Sequence, residues 1–333
     1  MRAVVYERYG PPDVLRVADV DPPVPAKGEV LVRVRAASIN SWDWDLLTGT
    51  FQGRLGFMAW RRPRFATLGA DLAGDVEAVS PDVTDLAAGD EVFGDVSASG
   101  FGGLADRVAV PASALAVKSA QMTFEQAAAM PQAGLLALQA LRAKGRVESN
   151  HKVLVNGAGG GVGTFAVQIA HAAGAEVTGV DHAAKLDTVR AIGADHVMDY
   201  AQQDFTRSHE RYDLIVDVVA TRPVGAYRRA LAAHGTAVIV GGSVPRLLGV
   251  AMFGRMPGTE RRRSSLLMYK PRRDGLLALN GLFEAGDVTP VIDRVYPLEE
   301  TSEAFRRFGG GGVTGKLVVV PSLPPGVSDA RGG

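Results

Sequence analysis

The chain of 333 residues contains no cysteine. That absence removes disulfides, thiolate nucleophiles and every cysteine-ligated metal site from consideration, and it agrees with a reducing compartment. Lysine plus arginine and aspartate plus glutamate number 36 each, a formal net charge of zero. There is thus no global basic field to gather nucleic acid or an anionic membrane surface. No stretch offers the roughly 18 uninterrupted apolar residues that a membrane helix needs, and "MRAVVYERYG" at the start lacks an apolar core of signal-peptide length. The expectation is a cytoplasmic protein without nucleic-acid or membrane partners, acting on small molecules.

What is present is a chain with 47% hydrophobic residues, long enough for two domains with their own cores. From Met1 to about Lys118, short apolar runs such as "AVVYE", "EVLVRVRAASI" and "DEVFGDV" are cut by proline and glycine, the pattern of a compact β-rich unit. At "TFEQAAAMPQAGLLALQALRAKG" the texture becomes helical, with Thr123 and Gln126 spaced as a capping box. Strand-like runs then alternate with helical ones: "KVLVNG", "EVTGVD", "DHVMDY", "YDLIVDVV" and "TAVIVGG". Alternation of nearly continuous apolar strands with helices predicts a parallel sheet covered on both faces. The fold expected is therefore α/β: residues 1–120 as one domain, 121–290 as a doubly wound second domain, 291–320 as a return, and 321–333 as a flexible tail. Arg261 to Arg263 read as a solvated loop, a subunit contact or a phosphate contact. The stretch from Arg246 to Arg273, with Met252, Phe253, Met256 and Tyr269, reads as a lid or as cover for a sheet edge.

The richest signal is "VLVNGAGGGVGTFAVQIAHAAGAEVTGVD", Val153 to Asp181. A buried strand runs into glycines and then into a helix that keeps Val162, Phe165, Ala166, Ile169, Ala170 and Ala173 on one face. A pyrophosphate held by backbone N–H groups at a helix N-terminus needs a tight turn, close backbone approach and close helix packing, and each demand excludes a β-carbon. Read against G-x-G-x-x-G, the key positions are Ala158, Gly160 and Gly163, with Gly161 and Val162 between them. Dinucleotide binding is the reading; a glycine turn kept for packing alone is its alternative. Asp181, ending the second strand, suits both ribose hydroxyls of NADH, whereas Lys185 and Tyr200 suit the 2′-phosphate of NADPH.

These residues, with "LGADLAGDVEAV", "GDEVFG", "GADHVMDY" and the terminal "VTGKLVVV", resemble the medium-chain dehydrogenase/reductase superfamily, in its zinc-free quinone-reductase-like branch, over nearly all of residues 1–320. The resemblance implies a GroES-like catalytic domain, a Rossmann domain inserted into it, and a nicotinamide in the cleft between them. It implies no metal: the positions of the zinc-ligating Cys and His of other members are Asn40 and Ala70 here, and the six histidines (151, 171, 182, 196, 209 and 234) lie in the Rossmann half. It implies that Asn40 of "SINSWDWD" orients the acceptor oxygen, a turn-forming asparagine being the alternative, and that Asp43 fixes that loop, bonds the cofactor or caps a helix. Trp42, Trp44 and Phe51 are a candidate aromatic wall or core residues. Val219, Gly241, Gly242 and Ser243 would approach the nicotinamide, and Lys316 would return to the cofactor cleft unless it faces solvent. The expected activity is an NADPH-preferring, zinc-independent hydride transfer to a quinone or an activated C=C bond, carried out by a homodimer. An NAD(H)-linked ketone reductase and a non-catalytic nicotinamide sensor are the alternatives.

Overall fold

The structure, a computed structural model, describes residues 1–50, 62–143, 147–254 and 262–321. Phe51, Met256 and Arg261 lie outside the described residues, as does the expected tail beyond Pro321. The chain forms two units, Met1–Gln132 with Ile292–Gly333, and Ala133–Val291.

The first unit opens with β1 (Arg2–Val5), β2 (Arg16–Asp19), β3 (Glu29–Ser38), β4 (Asp71–Val79), β5 (Glu91–Asp95), β6 (Arg107–Pro111) and β7 (Leu115–Val117). In β3, Val30, Val32, Val34 and Ala36 point into the core while Arg33 and Arg35 face out and pair with Asp75 at 3.0 and 3.1 Å, the period-2 alternation of a sheet with one solvated face. The helix Phe124–Ala129 carries the expected capping box: Thr123 Oγ1 accepts from the Gln126 N–H, and the Gln126 side chain accepts from the Thr123 N–H. It packs on β3 and β4, so residues 121–132, expected to open the second domain, belong to the first unit.

The second unit is a six-stranded, all-parallel sheet: β8 (Lys152–Asn156), β9 (Glu176–Asp181), β10 (His196–Asp199), β11 (Tyr212–Asp217), β12 (Leu231–Ile239) and β13 (Arg263–Leu266). Their spatial order is β10-β9-β8-β11-β12-β13. The order reverses beside β8, which places a crevice at the carboxyl ends of β8 and β11. The helix Gly161–Ala172 is more enclosed than a single apolar stripe predicts. Gly163 to Gln168 are all buried, while Val162, Ile169 and Ala173 are only half-buried. Gln168 tolerates burial because its amide bridges to Thr289, accepting from the N–H at 2.8 Å and donating to the carbonyl at 3.0 Å.

The chain returns to the first unit with β14 (Ile292–Pro297) and β15 (Lys316–Val320), giving a seven-stranded sheet in which β15 and β4 flank β3. Ser38 of β3 lies opposite Asp71 of β4 on one side and Val318 of β15 on the other. This register brings residues distant in sequence to the end of β3.

Candidate active site

In the second unit the chain leaves β8 through Gly157, whose φ of +86° is a backbone conformation that favours glycine. The N–H groups of Gly157 and Ala158 both donate to the Val180 carbonyl, at 2.9 and 3.1 Å, tying the loop to β9. A β-carbon on Gly163 would stand 2.0 Å from the Gly157 carbonyl oxygen and 2.7 Å from Ala158 Cα, so the helix can approach its loop only without one. Gly161, Val162 and Gly163 occupy the first helical turn, where N–H groups have no intrahelical acceptor and the helix dipole favours an anion. This cradle fits the pyrophosphate of a dinucleotide. Alanine at 158 costs nothing here, because the left-handed turn is made one residue earlier, at Gly157, which the G-x-G-x-x-G alignment passes over.

Asp181, Lys185 and Tyr200 are brought together at the end of β9. The buried Asp181 carboxylate accepts from the Gly159 N–H at 2.7 Å and from the His182 N–H at 2.8 Å, and Lys185 Nζ stands 4.0 Å away. A β-carbon on Gly159 would meet the Lys185 side chain at 2.8 Å, so this lysine lies over the glycine loop. Tyr200 is 53% exposed, and its ring centroid is 6.0 Å from that of His182. Asp181 is thus a buried anchor of the loop with a cation beside it.

The opposite rim is built by a residue that sequence reasoning did not single out. Asp217, wholly buried at the end of β11, accepts from Asn156 Nδ2 (2.9 Å), the Val219 N–H (3.0 Å), the Ala220 N–H (2.7 Å) and the Tyr227 hydroxyl (2.8 Å). Burial and this carboxylate push the Tyr227 phenol upward from its ordinary pKa. The pinned turn leaves Val219 48% exposed and presses on Gly241 and Gly242: a β-carbon on Gly242 would lie 2.6 Å from Ala220 Cβ, and one on Gly241 2.9 Å from the Val218 carbonyl oxygen. Ser243 is exposed and precedes the helix Val244–Phe253. The available signal was that β11, like β9, ends in aspartate.

In the first unit the end of β3 carries a buried polar cluster. Asn40 Nδ2 donates to Asp71 Oδ2 at 2.9 Å, and Asn40 Oδ1 accepts from Lys316 Nζ. Lys316 also donates to the Ile39 carbonyl at 3.2 Å and lies 3.6 Å from Asp71 Oδ2. Asp71 Oδ1 accepts from the Gln132 N–H at 3.0 Å, and Ser38 Oγ lies 3.2 Å from Oδ2. Asp43 accepts from the Asn40 N–H at 2.9 Å and the Gly69 N–H at 2.8 Å. Burial pushes Asp43 up to about 6 and Asp71 up to about 7 against the pull of Lys316, while burial lowers the Lys316 ammonium.

This geometry bears on three expectations. Lys316 is 3% exposed and does not face solvent: its ammonium is engaged by the Ile39 carbonyl, Asn40 and Asp71. Asn40 accepts from Lys316 through Oδ1 and donates through Nδ2 to Asp71 at 2.9 Å and, at 3.5 Å, to the Ser38 carbonyl, and it also precedes the helix Ser41–Thr48 as its N-cap. Trp42 and Trp44 pack on the core; the Trp44 ring is 6.2 Å from Phe308, and a β-carbon on Gly309 would strike it. Asp71 and Gln132 were missed, although Asp71 stands in the quoted "LGADLAG" beside Ala70. Among the described residues no group of three or more His, Cys, Asp or Glu is placed to hold a metal, and Ala70 is an apolar buried residue.

Comparison with known proteins places this architecture. Residues 26–120 match the family described as alcohol dehydrogenase GroES-like domain, and residues 192–319 match the one described as zinc-binding dehydrogenase. The chloroplast envelope quinone oxidoreductase homolog of Arabidopsis thaliana is 32% identical over 332 residues, covering 96% of this chain and 98% of that protein. The NADPH-dependent alkenal/one oxidoreductase of the same plant is also 32% identical over 332 residues, covering 96% and 80%. The solved structure of the quinone oxidoreductase from Coxiella burnetii superimposes with a TM-score of 0.86 at 27% identity, covering 97% of this chain and 99% of that one. With its GroES-like unit, its parallel-sheet unit and relatives aligned along nearly its whole length, the chain belongs to the medium-chain dehydrogenase/reductase superfamily, in the quinone-oxidoreductase-like branch.

Proposed function

We propose that the protein is an NADPH-using, metal-independent reductase that delivers hydride to a quinone or to a C=C bond conjugated with a carbonyl. The observation that carries this reading is the cradle from Gly157 to Gly163, with Lys185 laid over Gly159 and the Asp181 carboxylate already bonded to backbone N–H groups. The Asp181 charge is already answered by two backbone N–H groups and by the Lys185 ammonium 4.0 Å away, and Lys185 and Tyr200 supply a cation and a phenol beside it. The relatives named for quinone and for alkenal/one substrates support the acceptor class.

Bound there, a nicotinamide supplies the hydride. The chain's own part is to hold the pyrophosphate on the first turn of the Gly161–Ala172 helix and to form the opposite rim with the turn pinned by Asp217. Quinones and enones are electrophilic without a Lewis acid, which suits a chain with Asn40 and Ala70 at the positions of the zinc-ligating Cys and His and no metal-binding cluster among the described residues. A homodimer accompanies this reading: among the described residues β13 ends the sheet, and Leu248, Met252, Phe253 and Met268 are exposed apolar side chains on the segments flanking it.

The test is consumption of NADPH and, separately, NADH against quinones, enones and simple ketones in the presence of a chelator. Acceptor-dependent loss of NADPH, unaffected by chelator and faster than loss of NADH, supports the proposal. Turnover of ketones with NADH while quinones and enones are inert contradicts it.

A further inference from the structure

Three helices end in the second unit around one cavity of about 300 Å³. The last turn of Pro131–Arg142 lends it Leu141 and Arg142, that of Gly161–Ala172 lends Ile169 and Ala172, and that of Arg273–Glu284 lends Leu282. The apolar stripes of the helices run into this space past the point where the protein fills it. In Arg273–Glu284, Leu276 and Leu279 are 1% and 0% exposed, yet Leu282, one turn on, is only half-buried. In Gly161–Ala172, Phe165 and Ala166 are closed off, and Ile169 is again half-buried. Apolar surface facing a concave space at the small end of the range for ligand pockets is complementary to one small molecule with an apolar body.

The lining carries charge of both signs. Arg142 and Asp287 are exposed, and neither side chain has a hydrogen-bond or ion-pair partner among the described residues. The three helix C-termini add partial negative charge, which with Asp287 favours an ammonium. Arg142 offers a planar guanidinium to a carboxylate. A simple carboxylic acid leaves Asp287 and the helix ends unanswered, and a simple amine meets Arg142 with like charge. A molecule carrying both groups answers both. We propose that the cavity binds an apolar α-amino acid as its zwitterion, with the side chain against Leu138, Ile169 and Leu282, the carboxylate on Arg142 and the ammonium on Asp287. These residues all lie within Ala133–Val291, and the site is independent of the reductase reading above.

Isothermal titration of the full chain with leucine, isoleucine and phenylalanine, and with isocaproate and isoamylamine, tests the assignment; the last two are leucine without its ammonium and without its carboxylate. Saturable binding of at least one amino acid is expected, with leucine at least about tenfold tighter than either analogue. Arg142→Gln is expected to weaken leucine at least about tenfold while leaving isoamylamine within about twofold, and Asp287→Asn to weaken leucine equally while leaving isocaproate within about twofold. Ala172→Phe sets a ring into the lining from an exposed position and is expected to abolish binding. All three substitutions are at exposed positions, and unchanged thermal unfolding of each variant verifies that it folds. The absence of saturable binding by any of the three amino acids overturns the proposal. So does an analogue that binds as tightly as leucine, and so does unchanged leucine affinity in Arg142→Gln or Asp287→Asn. No step of this test uses NADPH, so its outcome is separate from that of the reductase assay.

Discussion

Replacing Lys316 by methionine separates a buried clamp from a cofactor ligand. The change keeps the apolar stem and removes the ammonium that bonds Asn40 Oδ1 and the Ile39 carbonyl and lies 3.6 Å from Asp71. Asp71 and Asp43, both fully buried, then lose their compensating charge. Breaking a buried pair by removing one partner costs about 3–5 kcal/mol, and at about 2–4 °C per kcal/mol for a unit of this size the expected fall is on the order of 10 °C near neutral pH. The pH dependence follows from the direction of the shifts. Asp43 sits at about 6 and Asp71 at about 7, above the unfolded value of 3.8, and without Lys316 both rise further. A carboxyl group with a raised folded-state pKa stabilises fully below its unfolded pKa and loses that contribution as pH rises through the folded one. The defect of the variant is therefore largest above pH ~7 and shrinks as the pH is lowered toward ~5. Thermal unfolding followed by circular dichroism at pH 8 and pH 5.5 measures it, with the NADPH dissociation constant determined in parallel. A melting-temperature difference from wild type that is the same at both pH values refutes the electrostatic argument. A selective loss of NADPH affinity returns Lys316 to the cofactor.

Other substitutions probe the cofactor loop. Gly163→Ala places a methyl group 2.0 Å from the Gly157 carbonyl oxygen, so the loop must shift; NADPH binding followed by nicotinamide fluorescence is expected to weaken at least about 100-fold, and affinity within threefold of wild type would show that the cradle is not used. Lys185→Ala is expected to weaken NADPH about tenfold while leaving NADH within about twofold, measured as paired dissociation constants; equal effects on both cofactors would remove Lys185 from 2′-phosphate recognition.

Much of the second unit was legible because its strands are short runs of Val, Leu and Ile bounded by glycines. The glycine loop was legible because sterics leave few residues able to occupy it. The sequence placed the first motif position at Ala158, yet the left-handed turn is at Gly157, a distinction that only the path of the chain over Val180 reveals. Asp181 and Lys185 argued for opposite cofactors when taken separately; 4.0 Å apart, they form one local charge arrangement. The partners of Asn40 were illegible for a similar reason. The direction of its amide is decided by Lys316, 276 residues away, which β15 delivers to the end of β3. Residue types at an active loop can be read from sequence, but the side on which a short amide spends its hydrogen bonds depends on strand register.

Hydride transfer itself is tested most directly by isotopic labelling. The purified protein is supplied with NADPH deuterated at the transferable position of the nicotinamide and with an α,β-unsaturated ketone, and the product is analysed by mass spectrometry. The expected product is a saturated ketone carrying one deuterium on carbon, formed at the rate of NADPH loss and unchanged by chelator. Product without deuterium, or no product while NADPH remains intact, would contradict it.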